Sequence, residues 1–350
     1  VGLGPTPPRR RAGRPLRRRA FAAACGATSL QPPMAADEEP PETLSEPLMD
    51  FSNIGRTADG SGFAYRSVAC AGKRVATIKA IETYAHAQQV DLSNNLIKEI
   101  APLRGLEHVL KLNLARNHIA NLKAFEPPEG AETMPFLREL DLSDNQLAAL
   151  VALPFKALET ASFARNEIAS CQDFGGHATL AKLDLSGNKL SDLAGLAGLP
   201  ALTSLEVSAN ELTSLNGLAE VPALAELRLA RNPMESLEGP WQELSASPLA
   251  LLDVSACQLA SPQALEVLRH LPLLRSLEVA GNPFVESAGA ADVGARVEVL
   301  VCHWRLKTLD GQPVTAEETE QARAVNVRRL EEKAKQAAER EAEGEAGEEA

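Results

Sequence analysis

The chain has 350 residues, 45% of them apolar and only 4% aromatic, with a net charge of −12. That balance suits a core of many small leucine and alanine layers and excludes a basic nucleic-acid-binding surface as the dominant feature. No apolar run approaches the roughly 20 residues of a membrane-spanning helix, and five scattered cysteines without a CxxC pair point to an intracellular, reducing compartment.

Residues 1–33 hold seven arginines and no acid, which leaves about −19 for the remainder. This stretch reads either as an organelle transit peptide or as translated sequence upstream of Met34, where "MAADEEPPETLSEPLMD" begins. The segment 1–62 is expected to be disordered, basic first and then acidic.

From residue 63 a period emerges. Val75, Ile78, Ile81 and Tyr84 lie 22 residues before Ile97, Ile100, Leu103 and Leu106. Counting back by the same step puts Val68 and Cys70 in a strand and Lys73 in a slot that later copies fill with asparagine. A lysine cannot be buried there, so 63–87 reads as an atypical N-terminal cap.

Nine copies of L-x-x-L-x-L-x-x-N-x-L follow. Their ninth position falls at Asn95, Asn117, Asn145, Asn166, Asn188, Asn210, Asn232, Cys257 and Asn282, in steps of 22, 28, 21, 22, 22, 22, 25 and 25 residues. This pattern matches the leucine-rich repeat signature, whose ninth position accepts Asn or Cys. Each copy supplies one short parallel strand, too small to bury its apolar side alone, so neighbours must stack. The asparagine is expected to turn inward and bond backbone groups of adjacent turns; Cys257 fits that slot as a small buried residue with a weak donor.

Between copies, leucines such as Leu190, Leu193, Leu196, Leu199 and Leu202 return the chain along the convex side as short helical or irregular segments. The 28-residue step carries an insertion at 125–135, a loop by its Pro-Pro and Gly. The 25-residue steps are expected to hold longer convex helices, with 261–271 the best candidate. At the other end, 295–318 supplies apolar Val299, Leu300, Trp304, Leu306 and Leu309, then a turn at Asp310-Gly311. Thr315 and Glu318 form a capping box opening a charged helix over about 316–343, packed only at its start, with a disordered acidic tail. The expected architecture is an α/β solenoid, a horseshoe with a parallel concave sheet: repeats and caps over 63–314, helix and tail over 315–350.

Strand side chains alternate, so positions three, five and seven line the concave face. Position five reads Asp91, Asn113, Asp141, Ser162, Asp184, Glu206, Arg228, Asp253 and Glu278, while position seven is Ser or Ala in all nine copies. Position eight adds Arg116, Arg165 and Arg231 along one edge. The candidate partner-binding residues are therefore Asp91, Arg116, Asp141, Arg165, Asp184, Glu206, Arg228, Asp253 and Glu278. Ten strands span roughly 45 Å, the length of about 30 helical residues, which favours a helix or protein domain of basic character over a small molecule. The six histidines fall in different repeats without a shared register, and no phosphate loop, HExxH or G-x-S-x-G is present. No enzyme, metal site or cofactor is expected.

The 22-residue unit together with "RVEVLVCHWRLKTLDGQPV" resembles the leucine-rich repeat subfamily that ends in a C-terminal cap. Residues 63–97, "LETASFARNEI" (158–168) with Ala161 and Phe163 in place of Leu, and the run into a charged helix are similar to the leucine-rich repeat protein of ciliary radial spokes. That resemblance implies a non-enzymatic structural subunit of the axoneme, in the cytoskeleton of a cilium or flagellum, whose partners are other spoke proteins and neither nucleic acid nor membrane. A phosphatase regulatory subunit and a subunit of a nuclear ribonucleoprotein belong to the same subfamily and remain alternatives.

Overall fold

The computed structural model describes residues 40–57, 62–126, 133–287 and 294–348, with side chains to Gln336 in the last stretch. The expectations for 1–33 and for most of the 125–135 insertion lie outside the described residues. Among those described, thirteen strands form one sheet within the unit Pro41–Ala350.

The N-terminal part contains β1 (Glu42–Thr43), β2 (Asp50–Arg56), β3 (Phe63–Ala69) and β4 (Val75–Thr77). β2 pairs antiparallel with β3, and β1 runs parallel to β4. The cap therefore begins near Glu42, and the expectation of disorder up to residue 62 fails for 42–56. Leu44 and Met49 are buried, and Phe51 stacks on Tyr65 at 4.6 Å and meets Tyr84 at 5.1 Å. These apolar side chains cover the end of the core that the first repeat would expose, as a terminal cap must.

Nine three-residue strands follow: β5 (Gln89–Asp91), β6 (Lys111–Asn113), β7 (Glu139–Asp141), β8 (Thr160–Ser162), β9 (Lys182–Asp184), β10 (Ser204–Glu206), β11 (Glu226–Arg228), β12 (Leu251–Asp253) and β13 (Ser276–Glu278). All are parallel, and each pairs in register with the next. The central residue of each is buried; in β8 it is Ala161, beside fully buried Phe163, so a small and a large residue together fill space that two leucines fill elsewhere.

The asparagine ladder holds the layers together. Asn117 Nδ2 donates to Leu114 O (2.9 Å), to Ala115 O (3.2 Å) and across to Leu92 O of the preceding repeat (3.0 Å), while its Oδ1 accepts from Ile97 N–H at 3.1 Å. Asn95 extends the pattern into the cap, accepting from Lys73 and Val75 N–H. Lys73 occupies the ladder slot in register but stays exposed, as expected of a terminal layer.

The return segments are short 3₁₀ turns or, after β7, β8 and β9, irregular. The stretch expected as a longer helix is the longest of the 3₁₀ runs, Pro262–His270, with Leu265 and Leu268 buried. Its apolar side chains, including Leu271, recur every three residues, which matches three residues per turn better than 3.6. On this side the repeats approach closely: at Gly217 (φ +104°) a Cβ would collide with the carbonyl oxygen of Leu193.

After α1 (Pro283–Ser287) and α2 (Ala295–Cys302), the hairpin β14 (Thr308–Leu309) and β15 (Gln312–Pro313) closes the sheet. Asp310 and Gly311, at φ +50° and +69°, supply the two left-handed residues a tight hairpin needs. Asp310 Oδ1 accepts from Val279 and Ala280 N–H, satisfying amides that have no further repeat to bond. Helix α3 (Ala316–Glu348) opens on the expected capping box: Thr315 N–H donates to Glu318 Oε2 at 2.8 Å, and Glu318 N–H donates to Thr315 Oγ1 at 3.2 Å. The helix continues through Glu348, five residues past the expected end, because Ala, Glu, Arg and Lys favour helix and only Gly344 and Gly347 oppose it. It packs on α2 through Ala322 and Val325, with Arg329 bonded to Glu298 at 2.7 Å.

One residue differs from expectation: Trp304, counted with the apolar cap, is exposed. Beside it, His303 is buried and bonds through Nε2 to the carbonyl of Leu271 at 3.1 Å. Burial holds its pKa below the usual histidine value.

Candidate protein-interaction face

Because position four of every repeat points into the core, positions three and five emerge on the opposite face of the sheet. Register aligns position five into one row: Asp91, Asn113, Asp141, Ser162, Asp184, Glu206, Arg228, Asp253 and Glu278 each oppose the next. Seven of the nine candidate residues lie in this row. Arg116 and Arg165 lie apart from it, on a parallel ridge.

The row is half-buried rather than fully exposed, and its acids are already engaged. Asp141 Oδ1 accepts from Ser143 N–H at 2.9 Å and from Ser143 Oγ at 2.6 Å; Asp184 does the same with Ser186, and Asp253 with Ser255. Asp91 and Asn113 bond the amides of Ser93 and Ala115. Position five thus ties down the chain two residues on, where the strand ends, and position seven is small because it folds back onto the sheet. One carboxylate oxygen of each of these aspartates is therefore structural, and in Asp184 the other oxygen also accepts, from Ser162 Oγ of the preceding repeat at 3.4 Å.

Glu206 and Glu278 differ from the aspartates. Burial pushes the Glu206 carboxyl above the usual carboxylate range, against the hydrogen bond it receives from Ser208. Burial also raises Glu278, and the negative charges of Asp253 and Asp310 add to the effect. Arg228 lies between acids of two adjacent repeats, 3.8 Å from Glu206 and 3.7 Å from Glu226.

The ridge is position eight. Asn94, Arg116, Asp144, Arg165, Gly187, Ala209, Arg231, Ala256 and Gly281 all adopt left-handed backbone, with φ between +52° and +71°. Arg165 grips Asp144 with two bonds, at 2.6 and 2.7 Å, and Arg116 approaches the same carboxylate at 3.7 Å. The Arg165 guanidinium holds the Asp144 carboxyl below its ordinary value. Arg116 and Arg165 are therefore joined through an acid absent from the candidate set.

Position three completes the face. Lys111 bonds Glu139 across adjacent strands at 2.7 Å. A groove of about 520 Å³ runs over β3 and β5 to β8, lined by Ser67, Gln89, Lys111, Asn113, Glu139 and Ser162 among others. The alternation that selected position five selects position three equally; its mixed sequence of Gln, Lys, Glu, Thr, Ser and Leu carries no compositional signal. Among the described residues, no group of three or more His, Cys, Asp or Glu is placed to hold a metal ion, and no helix is long and apolar enough to cross a membrane.

A family profile described as "Leucine Rich repeats (2 copies)" matches residues 179–220, where the ladder runs through Asn188 and Asn210, and a second, "Leucine Rich repeat", matches 133–149. The chain is a leucine-rich repeat protein. Among curated relatives it is similar to leucine-rich repeat-containing protein 23 of Bos taurus, 27% identical over 155 residues, 44% of this chain and 37% of the relative. The Homo sapiens protein of that name is 27% identical over 158 residues, 45% of this chain and 38% of the relative. The match thus spans less than two fifths of those relatives' length. Among solved structures, an internalin C2 from Listeria monocytogenes aligns at TM-score 0.46 and 25% identity, covering 53% of this chain and 80% of that one. YopM from Yersinia enterocolitica aligns at TM-score 0.41 and 28% identity, covering 57% and 39%. Leucine-rich repeat domains are protein-interaction scaffolds, and a sheet face bearing ordered charges in register suits that use.

Proposed function

We propose that this leucine-rich repeat protein is a non-enzymatic adaptor of the ciliary radial spoke, holding other axonemal subunits through its sheet face. The observation that carries the interaction role is the register-aligned row from Asp91 to Glu278, with a groove beside it and a second carboxylate oxygen outside the local Ser bonds in Asp91, Asp141 and Asp253. A basic helical segment of a partner, laid along the row, meets Asp141, Asp184 and Glu206 in succession. The assignment to the spoke rests on the resemblance carried by residues 63–97, 158–168 and the C-terminal run.

The experiment has two arms. An antibody to the protein is used on cells separated into cytosol, nuclei and salt-extracted axonemes. Retention in wild-type axonemes with loss from spoke-deficient ones is the expected result; a nuclear or cytosolic pool overturns the spoke assignment and moves the ribonucleoprotein and phosphatase alternatives forward. For the face, Asp141→Asn, Asp184→Asn and Glu206→Gln keep an oxygen for the local amide and remove only charge. Binding to axonemal subunits is expected to weaken by about tenfold with folding intact, since a few rim-to-core charge pairs are together worth roughly 1–2 kcal/mol. Unchanged binding by this folded variant overturns the face.

A further inference from the structure

The chain's two tryptophans have opposite environments. Trp241 is 2% exposed, and its indole N–H donates to the carbonyl of Leu237 at 2.6 Å. Trp304 is 60% exposed at the C-terminal end of α2. It forms one wall of a groove of about 270 Å³ between α2 and α3, together with Leu300, Val301, Thr319 and Ala322. A large aromatic ring left in water beside an apolar groove is costly for a repeat cap to maintain, and Trp is enriched where binding energy concentrates.

Three of the five arginines between residues 296 and 329 are ion-paired. Arg296 bonds Glu318, Arg329 bonds Glu298, and Arg328 bonds Glu332. Arg305 and Arg323 have no ion-pair partner among the described residues. Arg305 lies over the Trp304 ring at 4.9 Å, and Arg323 lines the groove from α3. In a chain of net charge −12, Arg323 in the groove and Arg305 on the Trp304 ring place two guanidinia without ion pairs beside this exposed apolar surface. Its complement is an apolar side chain flanked by carboxylates.

We propose that the α2–α3 groove is a second docking site, one that takes an acidic peptide segment of a partner protein carrying a single large apolar side chain. The apolar group enters between Trp304, Leu300, Val301 and Ala322. Carboxylates on either side meet Arg305 and Arg323, and the Asn326 amide, exposed on the rim, offers both a donor and an acceptor to peptide backbone. The preference is opposite in sign to that of the acidic sheet face, so the two sites select different partners and this site stands independently of the spoke assignment.

Random-peptide display on the full chain tests the site. Selected peptides are resynthesised and titrated while tryptophan emission is followed, since Trp304 is the exposed reporter. The expected peptides combine a large apolar residue with two or more Asp or Glu, shift the wild-type emission to the blue on binding, and, titrated by calorimetry, bind Trp304→Ala on the order of tenfold more weakly than wild type. With Arg305→Glu and Arg323→Glu together, selection is expected to turn to Lys- and Arg-bearing peptides. Both variants change exposed residues, and retained thermal unfolding verifies that they fold. Selection of peptides without acids, affinity unchanged by either variant, or no enrichment over the double variant overturns the proposal. So does self-association of the wild type that Trp304→Ala abolishes, which would seat a second copy in the groove.

Discussion

The Cys257 thiol donates to the carbonyl oxygen of Leu229 at 3.2 Å, the bond that the asparagine of any other repeat makes to the layer before it. What the thiol does not supply is an acceptor. In the other repeats the amide two residues past the preceding ladder position bonds the next asparagine, as Leu212 N–H does with Asn232 Oδ1 at 3.1 Å. Here that amide belongs to Met234, and it turns back to Asn232 O at 2.8 Å. Cys257→Asn is therefore expected to stabilise the protein by about 1 kcal/mol, read as a shift of the urea unfolding midpoint; a lower midpoint would show that the Asn232-Pro233 turn has no room for the amide.

The same geometry sets the thiol chemistry. Burial pushes Cys257 up to about 11 and Cys171 up to about 12, so neither presents thiolate at neutral pH. Iodoacetamide at pH 8 is expected to leave both unmodified in native protein and to label both in urea, as peptide mass mapping will show.

Asn210 is the strongest single test of the ladder. Its Nδ2 donates to Leu185 O, Val207 O and Ser208 O, and its Oδ1 accepts from Leu190 N–H. Asn210→Ala strands one buried amide and weakens the bonding of three carbonyls. A loss of about 2–4 kcal/mol is expected by denaturant unfolding, and a loss below 1 kcal/mol would mean that water replaces the amide.

Most of the repeat domain was legible because each repeat solves the same problem with the same letters. Asn95 to Asn282 were placed by spacing alone, and the buried centre of every strand from β5 to β13 followed from them. The 42–56 segment was not legible: "DFSNIGR" has neither the repeat period nor a long apolar run, and its burial comes from Phe51 meeting Tyr65 and Tyr84, distant in sequence. At the candidate site, alternation placed Asp141 and Asp184 in one row with Glu206. It did not show that the serine two residues after each aspartate folds back to claim one carboxylate oxygen, because that bond depends on where the strand ends.

Gly217→Ala tests the convex packing. The residue has φ +104° and abuts the Leu193 carbonyl, so a methyl group meets both backbone strain and a backbone atom that cannot swing aside. A loss of about 2 kcal/mol or more is expected, seen as a lower Tm with the same circular dichroism spectrum. Tm unchanged would show that the turn relaxes freely.

The Arg296–Glu318 pair gives a pH signature. The Arg296 guanidinium, helped by Thr315 N–H, holds the Glu318 carboxyl down at about 2 against an ordinary 4.5. A depressed acid stabilises the fold above its unfolded value and ceases to do so as pH falls through the folded one. Glu318→Gln is expected to cost roughly 1 kcal/mol at pH 7 after solvent screening, with the difference from wild type shrinking between pH 4.5 and 2. A gap that persists at pH 2 would assign the loss to packing.

The shared left-handed backbone before each ladder residue also makes the length of the molecule adjustable. From Arg165 through Gly187 and Ala209 to Arg231, the chain leaves each strand in the same conformation, so the residues that follow any two ladder positions are interchangeable starting points. Deleting 189–210 would join Asn188 to Glu211, which stands where Lys189 stood, and shorten the solenoid by one layer without changing how its ends are closed. The reach of the binding face, and with it the number of partner residues it can follow, is then a quantity that whole-repeat gain or loss changes in equal steps.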